Sequence, residues 1–346
     1  MKKKRTWIGI LISAIFLYLA FRKSDFGLII NQVMQVDGWL LLVSLPFLFL
    51  AFWARALRWR YMLLKSDRLS MHSVFGATMI GFMSLNIFPF RIGDFIRAYV
   101  LGSREGLSTS AVFATIVVER LFDGFTLLFI LFISIFLLPF PLDPEVIDWV
   151  RAFSYLGIAI YLLALAVVLL IAFRQFVIIR LAEKLFSPTP RLKAKAVQLI
   201  HSFAEGLTTI DSFRLFMIIV SYSVLVWFFA ALFYWVIMFG FLFPDGANLG
   251  VRVGFPGSLF VLGIICLGIM IPAGPGFVGT FELACIMAMK ALGVAGPTAE
   301  SYAIVSHALQ FIPITLAGII YLYIQHFSFK VIQKGEEKSQ EELEEG

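Results

Sequence analysis

The sequence predicts an all-α polytopic membrane protein, with about six full transmembrane helices plus two interrupted or re-entrant helical hairpins arranged as an inverted repeat. Three observations predict it. Hydrophobic residues make up 60% of the chain and charged residues 14%, against about 25% charge in an ordinary soluble domain. Apolar runs close to the roughly 20 residues that span a bilayer recur along the chain. Two further runs are broken by proline and glycine, at "NIFPFRIGDFIR" (residues 86–97) and "IPAGPGFVGTFE" (residues 271–282).

The predicted spans follow in order. Residues 7–21 come after "KKKR", lack a small-residue cleavage site and run into "RKSD", which predicts a retained first helix. Residues 39–54, 111–138, 152–173, 216–243 and 302–324 are the other uninterrupted runs. The interrupted runs are 74–90 and 257–292. Between 174 and 213 lies a basic, amphipathic stretch expected to lie along the headgroups on the cytoplasmic side, with Leu192, Leu199, Ile200, Phe203 and Leu207 on one face. Residues 329–346 are acidic and expected to be a disordered cytoplasmic tail. Residues 1–328 then form one transmembrane domain.

Charge orients the chain. "KKKR" and the five basic residues between 55 and 68 place those segments in the cytoplasm, and the acidic "PFPLDPEVIDW" lies outside. Residues 174–195 and the C-terminus return inside. With the chain inside at Arg68 and outside at Pro139, the 111–138 helix supplies the one crossing required. Residues 74–90 must then dip in, turn at Pro89 and return to the inner side. Parity leaves two options for 257–292, a re-entrant hairpin or two full crossings.

The two interrupted units share a spacing. Pro89 precedes Gly93 by four residues and Pro275 precedes Gly279 by four. Glu119, Arg120 and Asp123 follow Gly106 by 13, 14 and 17, and Ser306, His307 and Gln310 follow Gly293 at the same offsets. The units, about 74–138 and 257–324, enter from opposite sides, which makes the repeat inverted. Inverted repeats with broken helices are the sequence signature of secondary transporters with a site near the midplane.

The polar residues inside these runs are the candidate site. Glu119, Arg120 and Asp123 fall near mid-depth, where a charge costs about 2.5–3.5 kcal/mol on insertion scales. They either form a ligand or proton pathway or neutralise one another to lock helices together. Arg91, Asp94 and Arg97 stand at the first hairpin's return, with Arg91 and Asp94 paired and Arg97 left over for a phosphate, or else serving as positive-inside anchors. In the second hairpin, Pro272 and Pro275 break the helix, and Gly274, Gly276 and Gly279 let backbone approach closely. The next helix would offer amides to an anion, with Glu282 as a capping acid or a proton site. Arg55, Arg58 and Arg60 in "RALRWR" form an interfacial anchor or collect lipid phosphates. His307 and Gln310 complete the set. Cys266 and Cys285 make no disulfide framework, the four histidines lack metal spacing, and no metal or other cofactor is expected. The clustered basic residues suit anionic headgroups, and nucleic acid is not expected as a partner.

"RALRWRYML", "FPFRIGDFIRAYVL" with "VVERLFDG", and "PAGPGFVGTFE" resemble the lysylphosphatidylglycerol synthase transmembrane-region family of flippase-like integral membrane proteins, over about residues 5–328. The resemblance implies a flippase-like fold that moves aminoacylated or other lipid-linked headgroups between leaflets of the cell membrane. It implies that Arg91, Asp94, Arg97, Glu119 and Arg120 are recurrent polar positions. His307 stands where family members often carry a basic residue. The few residues after the last predicted helix leave no room for an aminoacyl-transferase domain, so lysyl transfer is not expected. The chain is expected to be a lipid transporter and not an enzyme, since no HExxH, paired-histidine or Ser/His/Asp pattern stands out. An intramembrane lipid-modifying enzyme and a scaffold for an envelope-assembly partner are the alternatives. Membrane lipids with anionic headgroups are the expected partners, with a homo-oligomer and a separate lipid-modifying enzyme as candidates.

Overall fold

The computed structural model describes residues 2–63, 69–88, 92–138, 212–243, 245–271 and 274–325, with 176–185 and isolated positions between 148 and 204. Helices account for nearly all of it. They are α1 (Lys2–Phe21), α2 (Phe26–Gln35), α3 (Gly38–Met62), α4 (Met71–Ile87), α5 (Ile92–Glu105), α6 (Thr109–Leu137), α7 (Phe213–Met238), α8 (Leu249–Gly268), α9 (Thr280–Ala291) and α10 (Gly296–Ile324), with a 3-10 turn at Pro275–Phe277 before α9.

Polar residues punctuate the apolar runs and start the helices. The side chains of Asp25, Asp37, Ser70, Ser108, Ser212 and Asn248 each accept a backbone N–H of the following first turn, which satisfies donors that otherwise have no partner. Gly106 and Gly293, both at positive φ, follow the ends of α5 and α9.

Five helices, α3, α6, α7, α8 and α10, are long and apolar enough to cross a membrane. The apolar part of α1, Gly9–Phe21, is shorter. Large apolar side chains such as Phe129, Phe132, Phe136, Leu316, Ile320 and Tyr323 point outward, as they do where lipid is the solvent. The protein is a multi-pass membrane protein. Of the six uninterrupted runs, 152–173 lies outside the described residues except at isolated positions, as does most of 174–213, and the acidic tail lies wholly outside them.

Three boundaries differ from the sequence expectation. The run 39–54 continues as helix to Met62, because its arginines find acidic partners within the fold. The short helix α2 was not anticipated. Within 257–292, helix begins earlier, at Leu249, and bends where Gly254 leaves helical geometry just before Pro256.

The two interrupted runs both form antiparallel helical pairs. In the first, Gly81 meets Arg97 and Leu85 meets Gly93, so contacts step backwards along one helix as they advance along the other. The approach is close: a Cβ on Gly93 would stand 2.3 Å from the Gly81 carbonyl oxygen. In the second, Gly268 meets Ala284 and Gly257 meets Leu292. Around these pairs, α3 packs along α7, α4 on α10, α6 on α8, α3 on α4 and α7 on α8. The core where they meet is closed by Trp59, Met79, Met83, Phe233, Phe260 and Tyr302.

A buried arginine cluster beside a two-sided cavity

Asp123 stands at the middle of the 29-residue α6, fourteen residues from either end (123 − 109 = 137 − 123). Glu119 lies one turn before it on the same face, and both are buried. Three helices bring cations to them. From α3, Arg55 Nη1 is 2.6 Å from Asp123 Oδ2, and Arg58 Nη1 is 2.7 Å from Asp123 Oδ1. From α5, Arg97 Nη1 donates to Glu119 Oε1 at 3.0 Å. From α6 itself, Arg120 reaches Asp94 Oδ1 of α5 at 3.0 Å and Asp123 Oδ2 at 3.3 Å.

Further partners complete the set. The Arg97 guanidinium lies over the Trp59 ring at 3.7 Å, an attraction of about 2 kcal/mol when desolvated. Trp59 Nε1 donates to Thr115 Oγ1, and Arg58 Nη1 donates to Ser223 Oγ of α7. Each charge would be costly alone in a bilayer, and each is paired.

The arrangement corrects two sequence expectations. Arg55 and Arg58 are buried, with Arg58 wholly so, and they bind the acids of α6. They therefore do not act as an interfacial anchor, although half-buried Arg60, which bonds the Leu69 carbonyl, has that character. Arg97 is not left over: it is sealed against Glu119 and Trp59. Asp94 bonds Arg120, a contact across two helices that spacing alone does not reveal, while its expected pairing with Arg91 falls outside the described residues. Arg91, Pro89 and Pro272 lie outside the described residues.

At the second turn, Glu282 closes the N-terminus of α9. Its Oε2 accepts the Gly279 N–H at 2.6 Å, so the chain's own carboxylate occupies the position an anion was expected to take. Its other oxygen, Oε1, is 2.6 Å from His307 Nδ1 of α10, and His307 Nε2 is 3.0 Å from the Gly276 carbonyl oxygen. Both ring nitrogens thus face acceptors. The Phe281 ring stacks on the imidazole at 4.2 Å. Gly276 sits at positive φ with Phe311 against it, Gly274 N–H donates to Ser13 Oγ of α1, and Pro275 opens the 3-10 turn. Gln310, at the middle of α10, accepts from Tyr234 Oη.

The two centres face one cavity of about 160 Å³. Arg55 and Arg120 line one side, and His307, Gln310 and Gly276 line the other. Phe52, Phe82, Trp227 and Phe233 supply apolar wall. Asn86, at the tip of the first hairpin, also lines it and donates to Thr315 Oγ1 of α10 at 2.9 Å. Arg58, Arg97 and Glu119 lie behind the wall, not on it. Sequence reasoning missed Asn86, Tyr234 and Trp227. Asn86 was visible as a lone amide at the end of an apolar run, while the two aromatic residues carried no signal that set them apart. Among the described residues no group of acids, histidines or cysteines could hold a metal ion.

Helices with charged residues buried at mid-span beside a cavity that mixes apolar and polar lining define an integral membrane protein with an internal polar site. The family model of the lysylphosphatidylglycerol synthase TM region matches residues 6–318, and the chain belongs to that family. It is therefore a lipid-related membrane protein. A comparison with curated proteins finds no match.

Proposed function

We propose that the protein is a lipid transporter of the flippase type, in the cell membrane with both termini cytoplasmic. It moves an anionic or aminoacylated phospholipid, or another lipid-linked headgroup, between leaflets, and it is not an enzyme. The observation that carries this is the cavity at mid-span, with Arg55 and Arg120 on one side and His307 and Gln310 on the other. A guanidinium pair grips phosphate oxygens, while the tails of an amphiphile stay in the bilayer.

Supporting the transport reading is an exchange in the packing. Swapping α3 with α7, α4 with α8, α5 with α9 and α6 with α10 maps the contacts α3–α4, α4–α5, α5–α6 and α4–α10 onto α7–α8, α8–α9, α9–α10 and α8–α6. The 29-residue helices α6 and α10 correspond, with their polar triplets at equal depth. This is what an inverted repeat with two re-entrant hairpins requires, and six full spans then include the 152–173 run. In such transporters, rocking one repeat against the other exposes the site alternately. Asn86 of one hairpin and Gly276 of the other meet beside the cavity, so each tip is a gate.

Reconstitution in liposomes with headgroup-labelled phosphatidylglycerol tests the proposal. Wild type exchanges label between leaflets, and Arg120→Ala does so at least tenfold more slowly. Equal exchange in both refutes it, and chemical conversion of the lipid in the same vesicles replaces transport with catalysis.

A further inference from the structure

Trp227 of α7 lies on the cavity wall and is 8% exposed. Its Nε1–H has no hydrogen-bond partner among the described residues. Buried indole and phenol groups normally find one, and here the others do. Trp59 Nε1 donates to Thr115 Oγ1, Trp235 Nε1 to the Gly250 carbonyl oxygen, Tyr302 Oη to the Tyr234 carbonyl oxygen and Tyr234 Oη to Gln310 Oε1. Trp227 is the exception, and it lines the cavity together with Arg55 and Arg120.

The surroundings say what the missing acceptor is. The Arg55 guanidinium carbon is 5.7 Å from the Trp227 ring and 5.3 Å from the Phe82 ring, and that of Arg120 is 5.7 Å from Phe82. Arg55 reaches both of its carboxylates through Nη1. An indole N–H only donates, so it selects an acceptor and offers nothing to an ammonium group. Among the described residues, Arg55 and Arg120 line the cavity and no carboxylate does, so its wall suits an anion such as a phosphodiester.

We propose that Trp227 is a ligand-binding residue whose Nε1–H donates to a phosphate oxygen held in the cavity by Arg55 and Arg120, and that the ligand is a phosphodiester. The function proposed above supplies only the source of that phosphate, a lipid headgroup. As a neutral donor, Trp227 binds the oxyanion without adding charge, so release to either leaflet is not opposed by a further ion pair.

Trp227→Phe keeps most of the ring and deletes the donor. Detergent-solubilised full-length protein is titrated calorimetrically with short-chain phosphatidylglycerol and, separately, with inorganic phosphate. Loss of one hydrogen bond to a charged group weakens binding about tenfold or more. The lipid-free melting temperature stays level or rises, because an unpaired buried donor is gone. In the wild type, the ¹⁵N-indole resonance of Trp227 moves downfield on adding the lipid. Equal affinities in wild type and variant, or an indole resonance that does not move, overturn the proposal. A lowered lipid-free melting temperature alongside the weaker binding also overturns it, by assigning Trp227 a packing role. Binding of inorganic phosphate but not lipid, lost in Trp227→Phe, supports the oxyanion site and overturns the lipid as its source. Intact binding by Trp227→Phe with leaflet exchange lost in Arg120→Ala removes Trp227 and leaves the transport function standing.

Discussion

Replacing Glu119 with glutamine removes one negative charge at nearly constant shape. Glu119 Oε1 has Arg97 at 3.0 Å, Arg58 at 3.4 Å, Arg55 at 3.5 Å and Arg120 at 3.6 Å. Arg55 and Arg58 keep Asp123 at 2.6 and 2.7 Å, and Arg120 keeps Asp94. Arg97, with its side chain 1% exposed, is the cation whose closest carboxylate is lost. Breaking a buried pair from one side costs about 3–5 kcal/mol. The Trp59 face and the amide oxygen of the new glutamine retain part of that, which puts the expected loss near 3 kcal/mol. Unfolding of the purified protein in mixed micelles, titrated with SDS and followed by circular dichroism, measures it. Adding Arg97→Met to Glu119→Gln removes the stranded charge and should restore about 2 kcal/mol, since well-packed apolar replacements of buried pairs are often neutral. A loss below about 1 kcal/mol in Glu119→Gln, or a second substitution that deepens the loss, would refute the claim that charge balance holds α5 against α6.

Other outcomes follow from the same geometry. Gly93→Ala drives a methyl group to 2.3 Å from the Gly81 carbonyl oxygen and should prevent a monodisperse fold, seen as loss of the main peak in size-exclusion chromatography. By contrast, Gly106→Ala meets nothing within 4 Å and carries only the strain of φ +69°, about 1 kcal/mol, read as a small drop in melting temperature. Glu282→Ala removes both the cap of α9 and the partner of His307, and should lower stability by about 2 kcal/mol while slowing leaflet exchange more than tenfold. In the loop before α8, the Ala247 N–H and then Arg252 hold the Asp245 carboxyl below its usual range. That support is present above the ordinary aspartate value and is lost as pH falls through the lowered one, so amide protection at Ala247 should fall in acid, and Asp245→Asn should show the loss already at neutral pH.

The sequence disclosed four of the five long apolar helices and both places where helix stops, because hydropathy and Pro–Gly breaks are local properties. It also placed Glu119, Arg120 and Asp123 at mid-depth, which needs only counting from a helix end. The partners of those groups were not legible. Asp94–Arg120 and Arg97–Glu119 join different helices, and nothing in the spacing of one chain segment says which cation will meet which acid. For the same reason Arg55 and Arg58 looked like a boundary: a run of arginines ends a helix at the interface unless carboxylates arrive from elsewhere to keep it going. Trp227 is marked by an unmade bond, and a missing partner has no sequence signal at all.

The knot of arginines and carboxylates also imposes an order on synthesis. Asp123 lies 68 residues after Arg55 in the chain, so α3 leaves the ribosome with its charges long before α6 can neutralise them. Neither helix is at ease in lipid without the other. The insertion machinery must shelter α3 until α6 arrives, and a ribosome stalled between the two should leave α3 still crosslinkable to the translocation channel.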